Sequence, residues 1–379
     1  MIYWRLSGFY LFYFASLGAL VPYWGLYLKS LGLDVTAIGQ LIAILLATKI
    51  VAPNVWGWIA DRTGHRMAIV RMASLLATVT FAGVFLGNSF WWLAIVMTAF
   101  SFFWNAALPQ FEATTMNHLG DDTHRYSGIR LWGSVGFIIS VALLGPLLDS
   151  RGVALLPVIV AALFALIWLS SMAVPETAAG HLPLDQEPLS RVLRRPLVVS
   201  LLVVCFLVQA SHGPYYAFYT LYLEAADYSA AFIGQLWALG VLAEIGVFLC
   251  MPLLLPRFGA RRLLLVAVSL TMVRWLLIAG YVEQPVMLVF AQTLHAASFG
   301  LYHAVAIYMI HVLFTGAHQG RGQALYSSLS FGAGGAAGSL ASGYLWNGIG
   351  PEAMYLMAAA ISLLAIVVVF FGIRDVGDG

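Results

Sequence analysis

Apolar runs of about 20 residues, the length a helix needs to cross a bilayer, recur along the whole 379-residue chain. Within lipid every backbone polar group must be satisfied inside the spanning helix or a closed barrel. A soluble fold is excluded by composition. The chain is 62% hydrophobic and 9% charged, where a soluble domain carries roughly 25% charged residues. The sequence therefore predicts an all-α membrane protein that spans the bilayer many times.

Cutting at polar and Gly/Pro clusters predicts twelve transmembrane helices. They fall at 4–28, 36–60, 67–87, 90–117, 126–148, 153–174, 197–223, 231–255, 262–281, 285–314, 322–346 and 352–373. Most connections are short. The long one, "PETAAGHLPLDQEPLSRVLRRP" at 175–196, divides the helices six and six. The expected organisation is an N-terminal bundle at 1–174, a cytoplasmic linker at 175–196 and a C-terminal bundle at 197–379. The opening stretch has one Arg and no small-residue cleavage pattern, so it reads as a retained first span.

Cytoplasmic loops hold the excess of Lys and Arg. With the N-terminus inside, that side receives Arg5, Arg62, Arg66, Arg71, Arg125, Arg130, the Arg191–Arg195 cluster, Arg257, Arg261, Arg262, Arg321 and Arg374. Only Lys29 and Arg151 are left for the outer loops. Both termini are expected in the cytoplasm, in the cell (inner) membrane. The net charge of +2 offers nothing to a nucleic acid. Cys205 and Cys250 both lie in apolar runs and imply neither a disulfide nor a metal site. No cofactor or metal is expected, the lipid bilayer is an expected partner, and a monomer is expected as the functional unit.

The chain repeats itself at an offset of 195 residues. "IGQL" at 38–41 falls on "IGQL" at 233–236, and "RTGHR" at 62–66 falls on "RFGAR" at 257–261. Ser16, Gly18, Tyr27 and Leu28 fall on Ser211, Gly213, Tyr222 and Leu223. Chance explains repeated Leu and Ala, but not repeated Gln, Gly and Arg. Two similar six-helix bundles joined by a linker are the architecture of a secondary transporter.

Charges inside the spans carry the strongest functional signal. Lys49, Glu112, Glu244 and Arg274 lie well inside predicted helices, and Arg130 lies one turn into another. Each costs about 2.5–3.5 kcal/mol at mid-bilayer on insertion scales. They are expected to face a wet cavity or one another. Asn105 shares a helix face with Glu112, and Arg130 follows on the next span. In the second half, Arg274 lies in the ninth span and His295 in the tenth, with Tyr302 on the same face as His295. The seventh span carries a stripe of Gln209, His212, Tyr216 and Thr220, and the first carries Tyr10, Tyr13, Trp24 and Tyr27. Aromatic faces serve packing as readily as solute contact. His303 and His311 stand eight apart, not three or four, which argues against a shared metal. Lys49 and Glu244 are equivalent by the repeat, which suggests a charge pair without establishing contact.

"GWIADRTGHRM" at 57–67 resembles the Gly-x-x-x-Asp-Arg-x-Gly-x-Arg signature of the major facilitator superfamily. Gly57 permits close helix approach and Gly64 a tight turn. Arg62 and Arg66 hold the loop inside, while Asp61 pairs with them or caps a neighbouring helix. A merely basic turn accounts for the arginines, but not for Asp61 with two spaced glycines. The resemblance implies a conformational latch formed by Gly57, Asp61, Arg62, Gly64 and Arg66. The second copy keeps Gly259, Arg261 and Arg262 but has Pro256 in place of the acid.

Over all twelve spans the chain is similar to the proton-symporter branch around lactose permease, and most to phenylpropionate-permease-type transporters. "GIRLWGSVGF" at 128–137 resembles a fifth-span motif whose arginine contacts solute, which places Arg130 there; Glu112 stands where that branch has a solute-binding carboxylate. "MVRW" and "TLHAAS" put Arg274 and His295 at the branch's coupling positions, and "YSAAFIGQLWALGVLAEIGVF" at 228–248 brings in Glu244. Two departures matter. Ser298 stands where lactose-type proteins carry a proton-bearing glutamate, which makes Glu244 the substitute. Phe137 replaces a sugar-stacking tryptophan.

These resemblances imply a proton-coupled symporter working by alternating access. Its solute would meet Glu112, Arg130, Asn105, Phe137, His212 and Tyr216, and its proton Glu244, His295 and Arg274. Phe137, the tyrosines and Arg130 suit a small aromatic carboxylate such as phenylpropionate. Glu112 beside Arg130 equally suits the hydroxyls of a sugar or nucleoside, and uniport or efflux are the mechanistic alternatives. An enzyme is not expected: no His-Glu-x-x-His, phosphate loop or nucleophile elbow occurs. "FGAGGAAGSLASG" at 331–343 lacks the Gly-Lys-Ser/Thr ending and reads as a helix-packing face.

Overall fold

Glycine, proline and capping residues set the helix ends seen in the structure, a computed structural model that describes residues 2–120, 122, 125–177, 188–315 and 318–374. Six long helices form the first half: α1 (Ile2–Ser30), α2 (Val35–Thr63), α3 (Arg66–Phe85), α4 (Phe90–Leu119), α5 (Tyr126–Arg151) and α6 (Val153–Met172). The second half has α7 (Pro196–Glu224), α8 (Ala230–Phe258), α9 (Ala260–Gly280), α10 (Pro285–Leu313), α11 (319–348) and α12 (Pro351–Gly372). A short helix, Leu189–Leu193, precedes α7. Residues 178–187 of the expected linker lie outside the described residues.

Eleven of these helices, among the described residues, are long and apolar enough to cross a membrane. The other is α11, whose Gly and Ser side chains bring little hydropathy. Among the described residues, α3 ends and α6 begins in a short 3-10 turn, at Ala82–Phe85 and Val153–Leu155, and three helices depart further from simple α geometry. α7 is interrupted at His212, between segments Pro196–Ser211 and Gly213–Glu224. α10 contains a π-helical turn at Ala296–Leu301, and α11 one at Ser328–Gly334.

The chain divides into two compact units. One comprises Met1–His181 with Asp227–Ala238, the other Leu182–Ala226 with Leu239–Gly379. Inside the first, α1 packs on α5 and α6, and α3 packs on α4 and α6. Inside the second, α7 packs on α11 and α12, and α9 packs on α10 and α12. These four pairings in one unit correspond to the four in the other under the 195-residue repeat.

The repeat extends to single residues. Asp34 caps α2 by accepting from the Ala37 N–H at 2.8 Å. Its counterpart Ser229 accepts from the Phe232 N–H at 3.2 Å. Ser16 donates to the Tyr13 carbonyl and Ser211 to the Val208 carbonyl, both at 2.7 Å. Gly64 and Gly259 both have positive φ, 71° and 75°, a conformation that disfavours any side chain.

Membrane helices gain no hydrophobic drive from meeting each other, so close backbone packing has to supply the attraction. The Gly-rich face of α11 does this against α7. A Cβ on Gly338 would strike the Ala210 carbonyl, and one on Gly213 would strike Gly338. Ser339 donates to the Gly213 carbonyl at 3.3 Å, at the interruption of α7.

Candidate functional site

In the first unit the polar groups gather around Arg130. Its Nε lies 3.8 Å from a Glu112 oxygen. Its guanidinium lies 3.9 Å over the Phe14 ring and 5.7 Å from the Tyr10 ring. α1, α4 and α5 therefore each contribute one part of the site. A side chain on Gly133 would meet both the Arg130 guanidinium and Phe14, so this glycine makes the stack possible. Behind it, Tyr10 donates to Thr115 at 3.2 Å, and Phe9 stacks on Phe111 at 3.7 Å. The result is a cation fixed on an aromatic wall beside a carboxylate, suited to an anion that also carries a ring.

Asn105 and Phe137 are occupied within this unit. Asn105 donates to Thr48 Oγ at 2.9 Å, and the Thr48 hydroxyl lies 2.9 Å from Ser101 Oγ and 2.8 Å from the Leu45 carbonyl. This buried chain ties α4 to α2. Phe137 is buried and lies 6.3 Å, centroid to centroid, from Trp237.

In the second unit Arg274 is fully buried. Its Nη1 donates to His295 Nδ1 at 3.0 Å and to Ser298 Oγ at 2.9 Å. Its Nη2 donates to Gln292 Oε1 at 2.6 Å. The guanidinium also lies 4.2 Å over the Tyr215 ring and 4.7 Å over Trp275. An arginine can only donate, so His295 Nδ1 has to be the accepting, unprotonated nitrogen. The ring proton is then on Nε2, and Nε2 faces Glu244 Oε2 at 3.7 Å. Arg274, His295 and Glu244 form one directed chain in which charge of both signs is held out of water.

His212 and Tyr216 sit next to this chain. His212 Nδ1 lies 2.8 Å from the Val208 carbonyl, and its ring meets Trp275 edge-on at 4.9 Å. Tyr216 donates to Gln209 Oε1 at 3.1 Å. Trp275 donates to Ser211 at 3.2 Å and so holds α9 against the interruption of α7.

One expectation is corrected by the π turn in α10. A regular helix would put Tyr302, seven residues on, over His295. The wider turn shifts the register by about one residue, so Phe299 and His303 line up with His295 instead. Phe299 stacks on His295 at 5.4 Å and on His303 at 5.7 Å. Tyr302 turns to α7 and donates to the Cys205 carbonyl at 3.4 Å.

The contacts of Asp61, Arg62 and Arg66 lie inside the first unit. Asp61 pairs with Arg66 at 2.7 Å, and Arg66 also donates to Gln110 of α4 at 2.8 Å. Arg62 lies over Trp58, one turn back, rather than beside Asp61. The α3 terminus is capped not by Asp61 but by Glu176, whose carboxylate accepts from the Met67 N–H at 3.1 Å. Arg71 ties the same end down by donating to the Val174 carbonyl at 2.6 Å. Gly57 has room, and Gly64 ends α2 with its N–H bonded to the Ala60 carbonyl.

Several groups escaped the sequence reading. Gln292 had a visible signal: an intramembrane amide one turn before His295. Phe14 lies one turn beyond Tyr10 and had only its spacing. Ser211 had only its repeat match to Ser16, and Thr48 and Tyr215 had none, because their partners are on distant helices.

Residues 3–357 match the model of the MFS_1 like family. The chain is 31% identical over 362 residues to the Escherichia coli (strain K12) protein named "Probable 3-phenylpropionic acid transporter", covering 92% of each. It is 27% identical over 370 residues to the maltose permease of Geobacillus stearothermophilus, covering 95% of this chain and 92% of that one. A crystal structure of a mutant of the nucleoside transporter NupG superposes with a TM-score of 0.86 at 17% identity, over 99% of this chain and 100% of that one. At that identity the likeness concerns the fold.

Proposed function

The chain belongs to the MFS_1 like family and is a membrane transporter, and from that premise we propose that it is a proton-coupled symporter of small aromatic carboxylates. The observation that carries the reading is the buried Arg274–His295–Glu244 chain. His295 is held neutral by the Arg274 hydrogen bond and offers its Nε2–H towards Glu244. A second proton on His295 would expel the arginine N–H, so Glu244 is the member free to change protonation. Arg274 and His295 orient it and stabilise its charged form.

In the first unit Arg130 takes the solute carboxylate, and Phe14 with Tyr10 takes the ring. Glu112 fixes the guanidinium at Nε and sets how far an anion can approach. The two six-helix bundles, 1–174 and 197–379, rock to expose the solute alternately to either side. Both termini are cytoplasmic, because the arginine-rich loops then lie inside. Asp61, Arg66 and Gln110 hold the α2–α3 loop to α4 and act as a latch on one conformation.

A monocarboxylate entering with one proton moves no net charge. A neutral sugar or nucleoside entering with a proton moves one. The second reading, a neutral polyol solute, is favoured by one feature: Glu112 meets Arg130 through a single 3.8 Å contact. Such a loosely held carboxylate remains able to accept hydroxyls.

De-energised vesicles containing the protein decide between these readings. External pH is followed as 3-phenylpropionate, maltose or a nucleoside is added. Alkalinisation by 3-phenylpropionate supports the proposal. Alkalinisation only by maltose or a nucleoside moves the substrate to the second reading, and no alkalinisation with any of them rejects proton symport of these solutes.

A further inference from the structure

The stack His295–Phe299–His303 on α10 is unused by the reading above. Its three rings are nearly parallel, at 10° and 12° to each other. His295 is 6% exposed and belongs to the Glu244 chain, whereas His303 is only half-buried. His303 Nδ1 lies 2.8 Å from the Tyr326 hydroxyl of α11. Polar groups able to hold a proton thus lie on both sides of a single apolar ring. Phe331 of α11 packs against this ring at 6.1 Å and against His303 at 6.0 Å.

Both π turns among the described residues fall here. Phe299 is in one and Phe331 is in the other. Such turns already depart from the α hydrogen-bond pattern and commonly mark functional positions. α10 runs from His295 through His303 towards the end that the proposed orientation puts in the cytoplasm.

Resting on the proton-symport reading, we infer that Phe299 gates proton release and that His303 is the exit acceptor. Closed, the ring fills the space that a water chain would need between Glu244 and His303. When it turns aside, the Glu244 carboxyl gives its proton to that water. A ring nitrogen of His303 accepts it and passes it to bulk water at the 313 end of α10. Glu244 is left as a carboxylate facing the His295 Nε2–H. The groups facing His295 are Glu244 from α8, Arg274 from α9, and Tyr215 and His212 from α7. Tyr326 faces His303 from α11.

The test needs no transported solute. Purified Phe299→Ala protein is reconstituted into vesicles with a trapped pH dye, and proton influx is driven by a potassium diffusion potential. The expected result is a proton flux at least roughly threefold above wild type. Adding Glu244→Gln or His303→Leu should return it to the wild-type level, while Phe299→Leu, which keeps apolar bulk, stays tight. No increase in Phe299→Ala, or an increase that both second substitutions leave in place, overturns the inference. If Phe299→Ala does not elute as a single folded species, His303→Leu alone is measured with 3-phenylpropionate. Net flux should fall severalfold while equilibrium exchange is kept; an unchanged ratio of net flux to exchange overturns the inference. Failure of the symport reading shows separately, as wild-type vesicles that do not alkalinise with any solute.

Discussion

Glu244 and His295 approach to 3.7 Å because each is seated against a glycine of the other's helix. Gly240, one turn before Glu244 on α8, faces the His295 ring, where a Cβ would lie 3.2 Å from Cδ2. Gly300 on α10 faces Glu244, where a Cβ would lie 3.0 Å from Cγ. The acid and the imidazole are thus brought together by reciprocal small residues, a local version of the close packing that holds membrane helices together.

This seating is directly testable. In Gly300→Ala the added Cβ lies 3.0 Å from Glu244 Cγ, so the Glu244 side chain has to give by a few tenths of an ångström, and overpacking of this kind costs about 1–3 kcal/mol. Solute-driven proton uptake is expected to fall roughly tenfold with the protein still folded. Gly246→Ala, on the same α8 with nothing within 4 Å of its Cβ, should leave uptake unchanged. Equal losses in both variants would mean that the glycine contact has no special role.

Glu244→Gln keeps the shape of the side chain and removes its proton chemistry. Accumulation of 3-phenylpropionate against a gradient should disappear, while exchange of internal for external solute persists. Counterflow with labelled solute measures the exchange. Retained accumulation would remove Glu244 from the coupling.

Arg130 is expected to discriminate sharply between guanidinium and ammonium. Lysine cannot keep both the flat stack on Phe14 and the Nε contact with Glu112. Losing a charge-assisted contact costs about 1.5–3 kcal/mol, so KM for 3-phenylpropionate in Arg130→Lys should rise roughly tenfold or more. Initial uptake rates across a concentration series give the answer, and a KM within twofold of wild type would refute the assignment.

Charge balance gives a fourth measurement. With ΔpH fixed, imposing an inside-negative potential with potassium and valinomycin should leave 3-phenylpropionate uptake unchanged. Acceleration by the potential would mean that net positive charge enters, as for a proton carried with a neutral solute.

The latch is expected to matter for turnover, not for stability. Asp61 has 68% of its side chain exposed in its pair with Arg66, and exposed pairs contribute about 0–1 kcal/mol. Asp61→Asn should therefore unfold at nearly the wild-type temperature but transport at a clearly lower maximal rate. A large drop in Tm with an unchanged rate would make the contact structural.

The sequence by itself determined the all-helical membrane fold, the helix order and the 195-residue repeat. These depend on hydropathy and on local features such as the Asp34 and Ser229 caps and the positive φ of Gly64 and Gly259, which neighbouring residues dictate. It also singled out Lys49, Glu112, Arg130, Glu244 and Arg274, because a charge is conspicuous where lipid should be, and His295 through the tenth-span resemblance. Only the tertiary structure decided which of these meet. Asn105 turned out to serve Thr48, Asp61 chose Arg66 over Arg62, and the π turn put Phe299 and His303, rather than Tyr302, in line with His295. Those outcomes depend on how far helices distant in sequence approach, and on one displaced hydrogen-bond register, neither of which is written in the residues on either side.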